Sequence, residues 1–206
     1  QGVSSAASDV YKRQLLIPEK NDIENFSNPF DTKLEPKKIT DDLCGKYRPG
    51  HFLAVIDIIH RFFQIIKPKN ILLGRKDYQQ IIVIKELIKI YNYNINIISA
   101  DTVRNKDGLA LSSRNNFLTK EEIKIASEIQ SSLLLSKKLY NDNISINEIT
   151  AMINELFLQS FINLEYFTIR DLKTLQHRND NDLIALIAVY LGDIRLIDNI
   201  IIKSKQ

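Results

Sequence analysis

The 206 residues are 44% hydrophobic, 26% charged and 8% aromatic, with 28 basic side chains against 25 acidic ones, which suits one or two folded domains and excludes collagen, coiled-coil and disordered chains. A single cysteine, Cys44, rules out an internal disulfide framework and a cysteine zinc site and points to a reducing compartment, while the separated His51, His60 and His177 have no ligand spacing. Charges of both signs are interspersed, and no apolar run reaches the roughly 18 residues of a membrane span, so the expectation is a cytoplasmic protein without nucleic acid or membrane as partner.

Residues 1–14 (QGVSSAASDVYKRQ) are small, polar and aperiodic, and read as a foreign segment or a disordered terminus. Residues 21–47 are polar, carry turn signals at Asn28-Pro29 and Glu35-Pro36, and predict an irregular loop. From Phe52 to Ile66 the apolar residues Phe52, Ile56, Ile59, Phe63 and Ile66 follow helical spacing, and Pro68 stops that helix. Asn70–Gly74 predicts a strand buried on both faces. A helix from Asp77 to Tyr91 follows, with Ile81, Ile84, Leu87 and Ile88 on one stripe, and Asn94–Ser99 predicts a second strand. Strand, helix and strand at this spacing form a βαβ unit with a parallel pair.

Beyond Leu118 the pattern changes. Thr119 with Glu122, and Ser145 with Glu148, are capping boxes for two further helices, the second running to about Ser160. The runs Leu164–Asp171, Leu183–Tyr190 and Arg195–Ile202 predict an antiparallel meander turning at Asn179–Asp182 and Gly192-Asp193. The fold class is therefore α/β with a parallel sheet over residues 15–113, followed by a small α+β domain with an antiparallel sheet over residues 114–206.

Ligands of open α/β sheets bind at the carboxyl ends of the strands, and both ends are polar here. At the first, Gly74 has no Cβ, Lys76 offers a compact cation for phosphate, and Asp77 at a helix N-terminus offers an acceptor for ribose hydroxyls. Gln79 or Gln80 faces the same crevice. The alternative is a solvated turn capped by Asp77. At the second end, residues 101–116, Ser112, Ser113 and Arg114 combine hydroxyl and guanidinium donors suited to phosphate oxygens. The alternative there is a serine-rich linker, against which the apolar Leu109, Ala110 and Leu111 argue for an anchored loop. His51 is read as structural, His60 as a satisfied, partly buried ring, His177 as solvated, and Cys44 as a loop residue without a catalytic partner.

In order and spacing, Arg48–Phe52 (RPGHF), Gly74–Gln80 (GRKDYQQ), Lys106–Asn115 (KDGLALSSRN) and Gly192–Asn199 (GDIRLIDN) resemble the C-terminal two thirds of the pantoate–β-alanine ligase family, over Leu15 to Ile202. The resemblance implies a Rossmann-like nucleotidyltransferase domain followed by a C-terminal lid domain that closes over ATP. It implies adenylation of pantoate with Mg²⁺, then attack of β-alanine on the acyl adenylate, in a homodimeric enzyme. It assigns ATP contacts to Gly74, Arg75, Lys76, Asp77, Val103, Leu111, Ser112, Ser113 and Arg114, with Val103 on the adenine side, pantoate to Gln80, and the electrostatic work of catalysis to Lys76 and Arg114. No protein ligand set for a metal is implied. Arg75 stands where the family has Glu, and Leu53-Ala54 where it has Arg-Gly. The family's His-x-Gly-His signature, which belongs to its N-terminal third, does not occur in the 206 residues. These residues alone are expected to be catalytically inactive; the alternative function is a nucleotide-binding or partner-binding fragment without catalysis.

Overall fold

The structure, a computed structural model, describes residues 17–177 and 182–202. Residues 1–14 and most of the Asn179–Asp182 turn lie outside the described residues. The segment expected as an irregular loop is instead a string of short helical turns, Lys20–Asn25, Thr32–Leu34, Lys37–Thr40 and Cys44–Tyr47. Each is too brief to show a period in sequence, and long-range bonds hold them: Phe30 N donates to Asp57 Oδ1 at 2.8 Å and Cys44 N to Gln79 Oε1 at 3.0 Å.

Helix α1 (His51–Ile66) starts after Gly50, whose φ of +77° is the left-handed turn glycine adopts most readily, and ends at Lys67, the residue before Pro68. Strand β1 (Asn70–Gly74), helix α2 (Tyr78–Ile90) and strand β2 (Asn96–Ala100) form the expected βαβ unit, with β1 and β2 parallel and Leu72 opposite Ile98. Phe52, Ile56 and Phe63 of α1 pack with Val83, Ile84 and Leu87 of α2 and with Ile71, Leu73 and Ile97 of the strands.

One expectation fails here. Strand β1 alternates between exposed and half-buried residues, and Leu72 and Ile98 are 68% and 50% exposed, because α1 and α2 cover only one face of the pair. A continuous apolar run signals a parallel strand, but it does not by itself say that both faces are covered.

Helices α3 (Lys120–Ala126), α4 (Glu128–Asn141) and α5 (Ile146–Leu158) follow. Both capping boxes are formed: Thr119 and Ser145 accept from the amides of Glu122 and Glu148, whose carboxylates reach back to the cap residues. Strands β3 (Asn163–Asp171), β4 (Leu183–Leu191) and β5 (Ile194–Ile202) make an antiparallel sheet with β4 central. Gly192 at φ +56° opens the two-residue β4–β5 turn.

Strand β4 is buried on both sides. Leu183, Ala185, Ile187, Val189 and Leu191 face the α3–α5 core, whereas Ile184 and Leu186 meet Tyr78, Ile81 and Ile82 of α2. Helix α2 is thus buried on more than its predicted stripe, since the second sheet packs on its far side. Tyr78 ties the two parts together: its hydroxyl donates to the Leu172 carbonyl at 2.8 Å, and burial pushes its pKa up to about 12.

Candidate active site

The cleft begins where β1 ends. Gly74 has an ordinary φ of −73°, and a Cβ there would meet nothing within 4 Å, so neither backbone nor packing requires glycine; it leaves open space at the strand tip. The single helical turn Arg75–Asp77 follows, and Lys76, Asp77 and Gln80 line one cleft with His51, Asp198 and Asn199. Its enclosed part holds about 40 Å³, room for the tip of a ligand, and the rest is open to solvent. Lys76 has no ion pair among the described residues, and the exposed Asp77 does not cap α2 through its side chain. Of the alternative reading, the solvated turn capped by Asp77, the side-chain cap is not formed, whereas Asp77 is exposed as that reading expects.

Of the two glutamines, Gln80 is the one left to the cleft. Gln79 points inward: besides accepting from Cys44 N, its Nε2 donates to Ile39 O at 2.8 Å and Asp42 O at 2.7 Å. Arg75 swings away from Lys76 and pairs with Asp101 at the tip of β2, at 2.5 Å. The pair is solvent-screened and adds little stability, but it removes the extra cation from the lysine's side.

The segment after β2 is a tight hairpin. Arg104 bridges Ala110, Asn105 N donates to Leu109 O at 2.9 Å, and Leu111 N donates to Val103 O at 2.9 Å. Gly108 sits at φ +91°, which favours glycine; a Cβ would also displace the movable end of the Gln130 side chain. Leu109 and Ala110 are buried, as an anchored loop demands, whereas Val103 and Leu111 stand 66% and 51% exposed beside each other. Ser112 Oγ accepts from Arg114 N at 3.2 Å and starts a short helical turn, Ser113–Phe117, that presents Ser113 to solvent and leaves Arg114 half-buried.

His51, read as structural from the sequence, lies on the wall of the Lys76 cleft; its main-chain N–H donates to Arg48 O at 3.1 Å, its imidazole bonds to none of the described residues, and Gly50 is the cap. Burial lowers its pKa, and the charges of Arg48, Arg114 and Arg195 lower it further against the opposing pull of Asp77. Val103, Leu111, Ser112, Ser113 and Arg114 are not among the residues that line the Lys76 cleft. His60 behaves as expected, buried with Nδ1 2.9 Å from the Tyr93 hydroxyl and its ring 4.1 Å from that of Tyr91; His177 is exposed.

Strand β5 brings Asp198 and Asn199, which close the Gly192–Asn199 segment but to which the sequence reading gave no role. Asn199 Nδ2 donates to both Arg75 O and Lys76 O at 2.9 Å, and Asp198 takes the Arg104 guanidinium at 2.5 and 3.1 Å. The signal was available: Asp198-Asn199 is a polar step inside the otherwise apolar Leu196–Ile202. Beneath the cleft, Cys44 opens a helical turn rather than a loop, with Sγ 3.1 Å from the Tyr166 hydroxyl and 3.4 Å from Arg195 Nη2. Burial raises the Tyr166 pKa. A bulge between Leu164 and Tyr166 aims Glu165 at Arg195, and that ion pair keeps the guanidinium charged although burial opposes it.

The pantoate-beta-alanine ligase family model matches residues 4–201. A pantothenate synthetase of Marinomonas sp. strain MWYL1 is 39% identical over 189 residues, covering 90% of this chain and 67% of the relative. One of Coprothermobacter proteolyticus is 37% identical over 184 residues, covering 86% and 64%. Among solved structures, a pantothenate synthetase of Thermus thermophilus superposes with a TM-score of 0.82 at 28% identity, over 91% of this chain and 68% of that one. The Francisella tularensis pantoate-beta-alanine ligase, complexed with beta-gamma ATP and β-alanine, gives 0.64 at 34% identity, over 90% and 63%. The chain thus spans about two thirds of the length of the relatives it matches.

Proposed function

Because the chain belongs to the pantoate–β-alanine ligase family, we propose that its cleft serves ATP-dependent condensation of pantoate with β-alanine. In the first step a pantoate carboxylate oxygen attacks the α-phosphorus of ATP, the bond to pyrophosphate breaks, and pantoyl adenylate forms. In the second the β-alanine amine attacks the acyl carbon, the amide forms with loss of an amine proton, and AMP leaves. The observation that carries this reading is the convergence of Lys76, Asp77 and Gln80 on one cleft with His51 on its wall.

Charge grows on the α-phosphate oxygens and on departing pyrophosphate, and fixed cationic donors stabilise that change. Lys76 and Arg114 are the donors proposed, with Ser112 and Ser113 on phosphate oxygens, Asp77 on the ribose, Gln80 on pantoate, and Gly74 and the Arg75 backbone beside the nucleotide. The enclosed volume of about 40 Å³ is too small for a nucleotide, so the adenine end lies outside it, over the exposed Val103 and Leu111. Mg²⁺ accompanies the triphosphate in this reading. The two-domain division at residues 113 and 114, a homodimer and a cytoplasmic location belong to the same proposal. No helix among the described residues is long and apolar enough to cross a membrane.

A second reading keeps nucleotide binding through the Lys76 cleft without catalysis. Calorimetric titration of the chain with MgATP, together with pantoate-dependent exchange of pyrophosphate into ATP, tests both. Binding that Lys76→Ala and Arg114→Ala each weaken by about tenfold or more supports the site. Absence of binding refutes it. Pantoate-dependent exchange by these residues alone would discard the second reading and the expectation of inactivity with it.

A further inference from the structure

Strand β5 joins two loops that are far apart in sequence. Asn199, 5% exposed, spends both hydrogens of its amide nitrogen on consecutive carbonyls, Arg75 O and Lys76 O, at 2.9 Å each. Asp198, 4% exposed, receives the fork of Arg104, and its Oδ1 also accepts from Asn199 N at 2.8 Å. Arg104 in turn donates to Gly108 O at 3.1 Å, so the same carboxylate steadies the tip of the 103–111 hairpin.

We propose that Asp198 and Asn199 are positioning residues that set the Lys76 turn and the hairpin leading to Ser112–Arg114 at a fixed separation for nucleotide binding. The chemistry demands these two side chains in this order. A primary amide presents two hydrogens on one nitrogen to a pair of adjacent carbonyls without burying a charge, whereas a carboxylate there would oppose its lone pairs to theirs. Only a carboxylate accepts the guanidinium fork while leaving the backbone N–H of residue 199 satisfied. Neither side chain acts on a reacting atom in this scheme; both act through Lys76 and through the hairpin. A turn as short as Arg75–Asp77 has few bonds of its own, so its place is decided by what clamps it, and small misplacements of a charged donor are costly to function.

This inference rests on the nucleotide-binding reading above, and its test separates the two. In the 206-residue chain, Asn199→Asp is expected to raise the Kd for MgATP by about tenfold or more and to speed hydrogen–deuterium exchange of residues 74–78 by a similar factor. The control Ile153→Val trims the α3–α5 core and is expected to leave MgATP affinity within about twofold. Asp198→Asn is expected to loosen residues 104–110 while leaving the exchange of α5 unchanged. Unchanged exchange at residues 74–78 in Asn199→Asp, or an equal loss of affinity in Ile153→Val, would overturn the proposal. If the wild-type chain itself fails to bind MgATP, the nucleotide reading falls, and the exchange measurement alone decides whether Asn199 fixes the turn.

Discussion

Replacing Gln79 with Met tests whether one buried amide organises the wall of the cleft. Gln79 is 5% exposed, and its amide satisfies three main-chain groups of the preceding segment: the N–H of Cys44 and the carbonyls of Ile39 and Asp42. Methionine keeps the bulk and removes every polar atom, so Cys44 N and Ile39 O lose this partner, while Asp42 O keeps the Gly45 N–H at 2.9 Å. The Cys44 bond is fully buried, and stranding a buried donor costs about 1–3 kcal/mol. The Ile39 carbonyl is partly buried, where water recovers some of the loss, and about 0.5–1 kcal/mol is reasonable; Asp42 O, still bonded to Gly45 N, adds about 0.5 kcal/mol or less. The sum, less a small gain from no longer burying an amide, is about 1–4 kcal/mol, or roughly 2–16 °C in Tm for a chain of this size. Neighbouring Leu43 sharpens the expectation, since it holds φ 50° and ψ −124°, a conformation leucine adopts only when its surroundings impose it. Urea unfolding of the wild-type and Gln79→Met chains measures the difference. A loss below about 1 kcal/mol would refute the idea that these bonds hold residues 39–47 in place.

Further outcomes follow from the same structure. Gly74→Ala is expected to leave stability within about 0.5 kcal/mol, because φ −73° and empty surroundings accept a methyl group. The same change is expected to weaken MgATP binding if a ligand approaches the strand tip closely, so denaturation and calorimetry together test the proposed role. His51 and His60 both have pKa values lowered from 6.5, chiefly by burial. The unfolded chain therefore takes up protons before the folded one as pH falls. The stability tied to these neutral rings is present above 6.5 and declines as pH drops through their folded values, which a urea midpoint measured at several pH values will show. A flat profile from neutral pH to pH 5 would contradict it. Thr119→Ala removes the cap of α3 and is expected to cost about 1 kcal/mol by the same assay, with Ser145→Ala similar at α5.

The elements whose signals are local were legible in the sequence. The βαβ unit, both capping boxes and the three-strand meander follow from spacing and turn chemistry within a few residues. Lys76, Asp77 and Gln80, which line the cleft from the turn after β1 and from α2, were singled out by the rule that ligands gather at strand tips. What escaped depends on contacts remote in sequence. The helical turns between Lys20 and Tyr47 have no period of their own and are held by Asp57 and Gln79. The exposed Leu72 and Ile98 looked like core because hydrophobicity alone does not say which face has a cover. Gln79 and Gln80 are indistinguishable by type, and only the inward turn of one assigns the other to the cleft. Asp198 and Asn199 were visible as a polar interruption in β5, but their partners lie more than 90 residues away.

The middle strand of the meander has a consequence for how this polypeptide is made. LIALIAVYL carries no charge, needs neighbours on both edges and cover above and below, and the last of those neighbours, Ile194–Ile202, is translated after it. Until that final stretch emerges and closes the hairpin at Gly192, a nascent chain displays a sticky ribbon with one open rim, the kind of surface that recruits chaperones or seeds insoluble aggregates. A stop codon that removes only the last nine described residues would consequently do more damage to recovery from the soluble fraction than the loss of so few amino acids suggests.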